Sequence, residues 1–593
     1  MRLPQFLSRP EPRGFALLVT MGFLTVSLVA YSSLMYWVTT NSKITKRNNL
    51  FNQSQAAAES ATESVLATMM RDFNNQSLNP ASTYTSATNL PSQSGWPITF
   101  QFSDTNGNAS ATTVLAIGTQ GWSQLPARYS GLWGWGQNWV IASHATPLNV
   151  GEDLSGAISQ NVWFGSIPVF QYAIFYNMDL EINPGAAMNI NGRVHSNNSI
   201  YATGSAASTP LTFSTNVEAT SQVNLFPSPL DPQNVGRSGN VVFSLTLNNP
   251  LNQASSLSLP VGTNNSSAAV IGILGIPPAG TDPSSPAGQG YEYNQADIIV
   301  TNSSTNGLAV YYQNFNSTPS QILVPMDVTN KVGVVTNVYY SFVTNVTFYD
   351  YREADTVKAV QLDVGNFNRW LTNATTSGPN FNSRNNSGAT SKGHGINGVY
   401  VYNGVPATSS QLPAVRVMDG QQLPTNGLSV ATPFPIYVMG DYNTTTNGVN
   451  FSTTLGDTTN TRPAAIMGDA VTILSSSWVD TATSSGNART ATATTINAAC
   501  LEGIVPSNGT HYSGGVENFL RLLENWGNVT LGYNGSIVVL FQSQYATSFW
   551  GGGYYTPPKQ RAWGFDLNFN QQSRLPPMTP QVRAIIRSSW AAQ

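Results

Sequence analysis

The sequence has few charges and almost no cysteine. Acidic and basic residues make up 9% of the 593 residues, against about 25% in typical soluble domains. Many Asn, Ser, Thr and Gly residues stand in their place, and these suit turns, short strands and neutral polar surfaces. Cys500 is the single cysteine, which excludes an intrachain disulfide. Because it lies in the apolar run 496–501, we expect a buried and inert thiol.

The charges are distributed unevenly along the chain. Residues 1–50 hold six basic side chains and one acidic one, whereas the whole chain holds 25 basic and 28 acidic residues. The remainder therefore carries 19 basic and 27 acidic residues, a net charge of −8. Nucleic-acid binding needs basic surfaces that neutralise phosphates. The composition thus predicts no nucleic-acid partner.

Histidine is also scarce, and the sequence motifs of common active sites are absent. The histidines lie far apart, without the His-x-x-x-His or Cys-x-x-Cys spacing of a transition-metal site. Neither a Gly-x-Ser-x-Gly nucleophile elbow nor a phosphate-binding Gly-x-x-x-x-Gly-Lys loop occurs. We therefore predict no catalytic residue, no metal site and no cofactor. The four histidines are His144, His195, His394 and His511.

Two pairs of carboxylates have both a functional and a structural interpretation. Asp179 and Glu181 stand two apart on a predicted strand and could serve glycoside cleavage, but we favour a solvated strand face. Asp441 and Asp469 are the last residues of two copies of Met-Gly-Asp. We interpret them as corner residues of Gly-Asp turns rather than as a cation site or a carboxylate pair. His195 is expected in a surface turn rather than as a ligand.

Residues 15–38 form an apolar stretch of 24 residues without a charge. At about 1.5 Å per residue, the stretch can cross a hydrocarbon core of about 30 Å. It is longer than the apolar core of a cleaved secretory signal, usually about 7–15 residues. We predict a retained, single-pass anchor. Basic residues flank both sides of the stretch almost equally, so the positive-inside rule does not decide its orientation. The Asn/Ser/Thr-rich composition is typical of an exported domain, and we therefore predict a cytoplasmic N-terminus.

The segment Arg13-Gly14-Phe15-Ala16-Leu17-Leu18-Val19 resembles the processing site of type IV prepilins. The resemblance implies that a prepilin peptidase cuts between Gly14 and Phe15, and that Phe15 becomes the N-methylated first residue. Major pilins carry Glu at the fifth mature position, where this sequence has Val19. The pattern without Glu is closer to PilX-type pilus accessory proteins and K-type minor pseudopilins, which are thought to sit at the tip or start of a filament. Further segments that resemble large PilX-like, prepilin-anchored bacterial proteins are 170–176, 351–353, 514–519 and 525–526.

Helical spacing continues beyond the apolar stretch. Apolar residues recur on one face over residues 54–73, and no Pro or Gly interrupts residues 23–79. The sequence therefore predicts one continuous helix. In pilin-like proteins such a helix anchors the subunit and packs its outer half against a sheet, so the resemblance implies this arrangement here.

From about residue 94 the pattern changes to that of strands. Residues 97–102 alternate between apolar and polar, as a half-buried strand does. Short apolar-x-apolar strands with Asn and Gly corners predict the stacked coils of a β-solenoid. The expected fold class is a mainly β ectodomain, with a β-sheet head and β-solenoid or β-helix segments, on a long N-terminal transmembrane α-helix. The predicted divisions are a leader (1–14), a transmembrane helix (15–38), a continuing amphipathic helix (39–75), a β-rich pilin-like head (94–176), a solenoid-like segment (177–225), an irregular insertion (226–300), a β-rich segment (301–372), a loop-rich linker (373–424) and a solenoid-like segment (425–593) with a short helix at 515–526 and a Pro-rich tail.

Three functions are compatible with these features. The resemblance implies a minor pilin or pseudopilin in the bacterial inner membrane, with other pilins as partners through the N-terminal helix. The alternative is a surface adhesin or glycan-binding protein that uses exposed aromatic residues such as Trp133, Trp135, Tyr554 and Tyr555, although these could equally belong to the core. A lesser alternative is an anchored β-helical polysaccharide-degrading enzyme, which the sparse charges disfavour.

Overall fold

A computed structural model describes most of the chain, and the predicted fold class is confirmed: a mainly β ectodomain stands on one long N-terminal helix. Gly14 and the rest of the predicted leader lie outside the described residues, as does the part of the predicted linker from 373 to 393. The described residues are 15–75, 78–152, 154–247, 249–259, 266–285, 287–305, 307–314, 322–326, 342–372, 394–451, 456–482, 486–551 and 553–592.

The strands form two bodies, a head and a stack. Helix α1 spans Phe15–Asn74, and the shorter helices are α2 (Ala81–Tyr84), α3 (Ser267–Val270), α4 (Glu292–Gln295) and α5 (Val364–Thr372). The first strands are β1 (Phe100–Ser103), β2 (Thr113–Gln124), β3 (Trp133–Pro147) and β4 (Gly156–Pro168). They are followed by β5 (Ile174–Tyr176), β6 (Leu180–Ile182), β7 (Met188–Ile190), β8 (Val194–Ser196), β9 (Ile200–Ala202), β10 (Leu211–Phe213), β11 (Val217–Ala219), β12 (Val223–Asn224) and β13 (Val241–Phe243). The remaining strands are β14 (Ile298–Ser303), β15 (Gly307–Asn314), β16 (Ile322–Met326), β17 (Val343–Asp350), β18 (Asp355–Asp363), β19 (Gly398–Asn403), β20 (Gln411–Met418), β21 (Leu428–Ala431), β22 (Ile436–Met439), β23 (Thr445–Thr446), β24 (Val449–Asn450), β25 (Ala464–Met467), β26 (Val471–Leu474), β27 (Thr494–Asn497), β28 (Ala499–Ile504), β29 (Leu520–Leu522), β30 (Thr530–Gly535), β31 (Ile537–Gln542), β32 (Gln560–Phe565) and β33 (Gln581–Ala592).

The head is an antiparallel sheet that the last strand of the chain completes. Strands β1 and β2 both pair with β3, β3 pairs with β4, and β4 pairs with β33. Residues 169–580 are therefore an insertion between two neighbouring strands of one sheet. The two ends of the insertion meet, since the amide of Val169 donates to the carbonyl of Pro580 over 2.9 Å.

Each face of the head sheet covers a different body. Val162 and Phe164 of β4 lie in the cluster that contains Val65 and Met69 of α1. Trp163, between them, lies in the large cluster that continues into the stack. Alternate residues of a strand point to opposite faces, so the sheet is sandwiched between helix and stack.

The Trp-Gly-Trp-Gly segment of β3 is shaped by one buried indole ring. A Cβ atom on Gly136 would lie 2.4 Å from Cζ2 of Trp163, and one on Gly134 would lie 2.8 Å from Cη2 of the same ring. On the neighbouring strand, a Cβ atom on Gly165 would lie 2.5 Å from that ring. Only glycine leaves room for the indole on this face. The intervening Trp133 and Trp135 therefore point to the opposite face.

The stack (strands β5–β32) is built mainly of parallel strands in register. Its first coils are three-sided: β5, β8 and β11 pair in succession, as do β6, β9 and β12, and β7, β10 and β13. Inward residues recur at the same register position, as Ile174, Val194 and Val217 do. All three are buried, so a continuous apolar core runs along the coils.

The coils formed by the C-terminal part of the insertion stack onto its first coil, which contains β5. One sheet runs in the order β14, β19, β21, β25, β28, β31, β5, β8 and β11, with every neighbouring pair parallel. A second sheet, β18, β20, β22, β26 and β29, runs alongside it. Strand β31 on β5 thus joins the C-terminal coils to the N-terminal coils.

Asparagine side chains satisfy the corners of the stack. The Nδ2 atom of Asn534 donates to Oδ1 of Asn497 over 2.8 Å, and Nδ2 of Asn497 donates to the carbonyl of Asn443 over 3.0 Å. All three residues are buried. Buried backbone and amide groups need such partners, which explains part of the high asparagine content.

Two local predictions differ from the structure. Residues 515–526, predicted as a short helix, form a 3-10 turn at Gly515–Asn518 and then strand β29. The apolar spacing there serves a coil of the stack, because β29 pairs with β26. The Pro-rich tail ends in β33, whose alternating Val582, Ala584 and Ile586 are buried. The prolines before residue 581 indicate an irregular tail, and for this reason the sequence alone predicts no strand here.

We expect Gly136→Ala to destabilise the ectodomain by about 1–3 kcal/mol, as overpacking of a well-packed core does. The added methyl group would displace the Trp163 ring or separate β3 from β4. Thermal unfolding followed by circular dichroism would measure the change.

Gly185→Ala is the matched control, because a Cβ atom there meets no atom within 4 Å. Equal unfolding midpoints for the two variants would contradict the packing explanation.

Candidate functional site: the N-terminal helix and its seat on the head

Helix α1 is one uninterrupted rod of 60 residues, about 90 Å long at 1.5 Å per residue. Its first half contacts no other part of the described chain: an 18-residue apolar window with a mean hydropathy of 1.9 is entirely unburied. Burial begins at Leu50. Among the described residues, this helix is the one long and apolar enough to cross a membrane.

Four hydroxyl groups of the exposed half are bonded within the helix. Thr20 donates to the carbonyl of Ala16 over 2.9 Å, and Thr25 donates to that of Met21 over 2.9 Å. Ser32 and Thr39 make the same contact four residues back. Hydroxyl groups bonded in this way are tolerated in a hydrocarbon environment.

The beginning of the rod carries no acidic group. Phe15 starts the helix and is 69% exposed, and Val19, at the position where major pilins carry Glu, is 41% exposed. The first acidic residue after the start of the helix is Glu59, on the part that lies against the head. The exposed half therefore presents an uncharged apolar surface up to Lys43.

The buried half of α1 approaches the sheet closely because the residues at the contact are small. Ala57, Ala58 and Ala61 pack against Phe102 and its neighbours in one apolar cluster. A Cβ atom on Gly156, at the start of β4, would lie only 2.4 Å from the backbone nitrogen of Gln55. Further along, larger residues of α1 enter the second cluster, and burial of such side chains contributes roughly 1.5–3 kcal/mol each.

Polar contacts fix the rotation of α1 on the sheet. Gln160 of β4 donates through Nε2 to Oγ1 of Thr62 and to Oε1 of Glu63, each over 2.8 Å. Arg587 of β33 binds the same Glu63 with two hydrogen bonds of 2.7 and 2.9 Å. Gln160 and Thr62 are buried, so their bond can form in only one register of the helix.

The last strand also closes the C-terminal end of α1. Nη1 of Arg583 donates to the carbonyl of Asn74 over 2.6 Å and to that of Phe73 over 3.4 Å. These are among the last helical carbonyls, which have no partner within the helix. A cation there also opposes the negative end of the helix dipole.

A buried charged contact joins the head to the stack. Glu218 of β11 accepts from Nε of Arg128 over 2.8 Å, and His195 of β8 lies 3.0 Å away through Nδ1. The other ring nitrogen, Nε2, lies 2.9 Å from Oδ1 of Asn197. Burial opposes ionisation of Glu218, but the bonds and charges of His195 and Arg128 outweigh it and lower its pKa.

The interpretation of His195 as a surface-turn residue is therefore wrong, since its side chain is fully buried. The solvated face expected for Glu181 is wrong as well. Glu181 is 7% exposed and accepts from Oγ of Ser507 over 2.9 Å. Burial raises the pKa of Glu181 to about 7. Both misreadings arise because short polar-looking strands of the stack are covered by later segments of the chain.

Asp441 and Asp469 lie at corners, as the favoured interpretation predicts, and do not share a coil face. Asp469 accepts from the amides of Gln544, Tyr545 and Ala546, and Asp441 accepts from that of Thr495. Their Met-Gly-Asp segments follow strands of different sheets. Cys500 is buried, and burial raises the pKa of its thiol. Within the described ranges, no group of three or more His, Cys, Asp or Glu side chains could hold a metal ion.

Comparisons with known proteins add a likeness to a solved structure. No protein-family model matches the chain, and no curated protein sequence matches it. The chain is similar to the crystal structure of the competence-associated pilin ComZ from Thermus thermophilus, over 91% of this chain and 97% of that one. The identity is 9% and the TM-score is 0.27. A TM-score this low supports no conclusion about fold or function.

We expect Arg583→Met to destabilise the protein by about 1.5–3 kcal/mol, since it removes charged hydrogen bonds to the end of α1. Arg587→Met is the matched control on the same strand. Its ion pair with Glu63 is exposed (55% and 37%), so we expect a loss below about 1 kcal/mol. Hydrogen exchange over residues 66–75, together with the unfolding midpoint, would measure both. A larger effect at Arg587 would contradict the assigned role of Arg583.

We expect Glu181→Gln to stabilise the protein above pH 7. A folded-state pKa of about 7 lies above the ordinary glutamate value of about 4.3. The wild type therefore loses stability as pH rises between these values, because the unfolded state releases this proton there while the folded state retains it. The gain should be about 3–4 kcal/mol at pH 8 and vanish near pH 4.

Urea unfolding midpoints at both pH values test the expected effect of Glu181→Gln. Glu59→Gln is the control, since Glu59 is exposed. A stabilisation by Glu181→Gln that is equal at both pH values would show that ionisation is not its cause.

Proposed function

We propose that this protein is a minor pilin-like or pseudopilin-like structural subunit of a type IV pilus or related filament. The observation that carries the proposal is the division of α1. Its first half is an exposed, uncharged apolar rod, and its second half is seated on an antiparallel sheet. This is the arrangement that the prepilin-like segment 13–19 implies.

In this role the mechanism is assembly rather than catalysis. A prepilin peptidase removes residues 1–14, and the apolar half of α1 then leaves the bilayer of the inner membrane for the filament. Packing against the helices of other pilins replaces the lipid contacts of the helix. The contact between α1 and the head sheet then holds the ectodomain in a fixed orientation relative to the helix. Gln160 and Arg587 fix the rotation of α1, and Arg583 binds its C-terminal end.

The lack of an acid at Val19 supports a place at the tip or in the initiation complex. A repeating subunit would use Glu at this position to attract the N-terminal amine of its neighbour. Val19 offers no such attraction, so the subunit caps or starts a filament. Purified filaments in which this chain is the bulk subunit would contradict this placement.

We expect the membrane-extracted protein to begin at Phe15 with a methylated amine, and we expect Gly14→Ala to retain Met1. The resemblance implies a leader that ends in glycine before the cleavage position, and Gly14→Ala removes this glycine. Intact mass and N-terminal sequencing of both proteins provide the measurement.

Gly22→Ala is the control, because a Cβ atom there meets nothing within 4 Å. This variant should be processed like the wild type. A wild-type chain that still starts at Met1 would mean a simple signal anchor and would end the pilin proposal.

A further inference from the structure

The head sheet extends beyond the end of α1 and leaves part of its helix-side face uncovered. Helix α1 ends at Asn74, next to Phe73 and the following Leu78. Past this point, residues from 273–285, 287–295 and 572–581 line an open space next to the sheet. The result is a cleft of about 860 Å³, a size typical of ligand-binding sites.

The floor of the cleft is a cross-strand row of four residues. Trp122 pairs with Trp135, Trp135 pairs with Ser166, and Ser166 pairs with Arg583. All four line the cleft. With about 4.8 Å between strands, the row is about 14 Å long, which suits a chain of a few sugar rings.

The tryptophans of this row are held in place by the head itself. The rings of Trp122 and Trp135 contact each other edge to face, with centroids 6.0 Å apart. Gly134 and Gly136 seat β3 on Trp163 on the other face, which directs Trp135 into the cleft. Trp135 is nevertheless 41% exposed. Exposure of a large apolar side chain to water is unfavourable, and rigid aromatic rings that are exposed in a cleft are typical of binding sites.

The polar side chains around the row are chiefly neutral amides. Gln120 and Gln572 are exposed at the rim, where their amides can both donate and accept hydrogen bonds. Among the lining residues, Glu292 and Arg583 are one acid and one base. The cleft therefore has no excess charge to attract an anion or a cation.

We propose that this cleft binds a neutral oligosaccharide. The apolar face of a sugar ring stacks on an indole, and its hydroxyl groups exchange hydrogen bonds with amides and donate to Oγ of Ser166, which itself donates to Oε1 of Gln581. A neutral sugar therefore matches the lining of the cleft, which combines aromatic faces and amides and has no net charge. The site lies on the ectodomain, so binding does not depend on leader processing or on filament assembly.

The test uses the full-length, unprocessed chain in a detergent without a sugar headgroup. Tryptophan fluorescence and calorimetry measure binding of cellohexaose, chitohexaose, maltohexaose and mannohexaose, with hexagalacturonate as the anionic comparison. We expect saturable binding of at least one neutral hexamer at about 1 mM or below. No binding by any of the four, or tighter binding of hexagalacturonate, would overturn the proposal.

Two cleft variants and one control locate the site. Trp135→Ala should weaken binding about tenfold or more, as truncation of a central aromatic anchor does. Gln120→Ala at the rim should weaken binding about threefold. Trp590→Ala removes a tryptophan of β33 that is exposed (53%) but does not line the cleft and should bind like the wild type. If Trp135→Ala fails to fold, Gln120→Ala decides, and unchanged binding by that variant overturns the proposal.

Discussion

The contact between β4 and β33 is the interaction on which the remaining structure depends. These strands lie side by side in one sheet, yet more than four hundred residues separate their positions in the sequence. Pairing them closes the head, brings the ends of the insertion together at Val169 and Pro580, and places Arg583 and Arg587 on α1. The helix seat, the stack and the cleft all require this one long-range pairing, which carries a large loop-closure cost.

The head sheet resolves a problem of burial. A sheet with two apolar faces must be covered on both, and here a helix covers one face and the stack covers the other. The sheet is longer than the seated part of α1, so coverage of the helix side is incomplete. The cleft is the part of this face that the helix leaves uncovered, and Trp135 in it points away from Trp163 because Gly134 and Gly136 on either side face that ring. The packing of Trp163 on the stack side of the sheet therefore determines that Trp135 is exposed on the helix side.

Charge is used sparingly, and several of the charged side chains lie inside the protein. Glu218 between Arg128 and His195 joins the stack to the head, while Asp469 holds three backbone amides at a corner. Such buried charges are costly unless they are fully paired, and in these two cases hydrogen bonds surround them. Folding of such a chain therefore depends on specific pairing of its buried charges as well as on apolar packing.

By itself the sequence determined the features that depend on local periodicity and composition: the apolar rod from Phe15, its continuation as one helix to Asn74, the β character of the rest and the burial of Cys500. Such features follow from the spacing of residues within a few turns or strands. Only the tertiary structure decided which strands meet. It made β33 part of the head, turned the predicted helix at 515–526 into a coil strand, and buried His195 and Glu181. It also assembled Trp122, Trp135, Ser166 and Arg583 into one row, because strand order and register between distant segments are set by packing that no local pattern records.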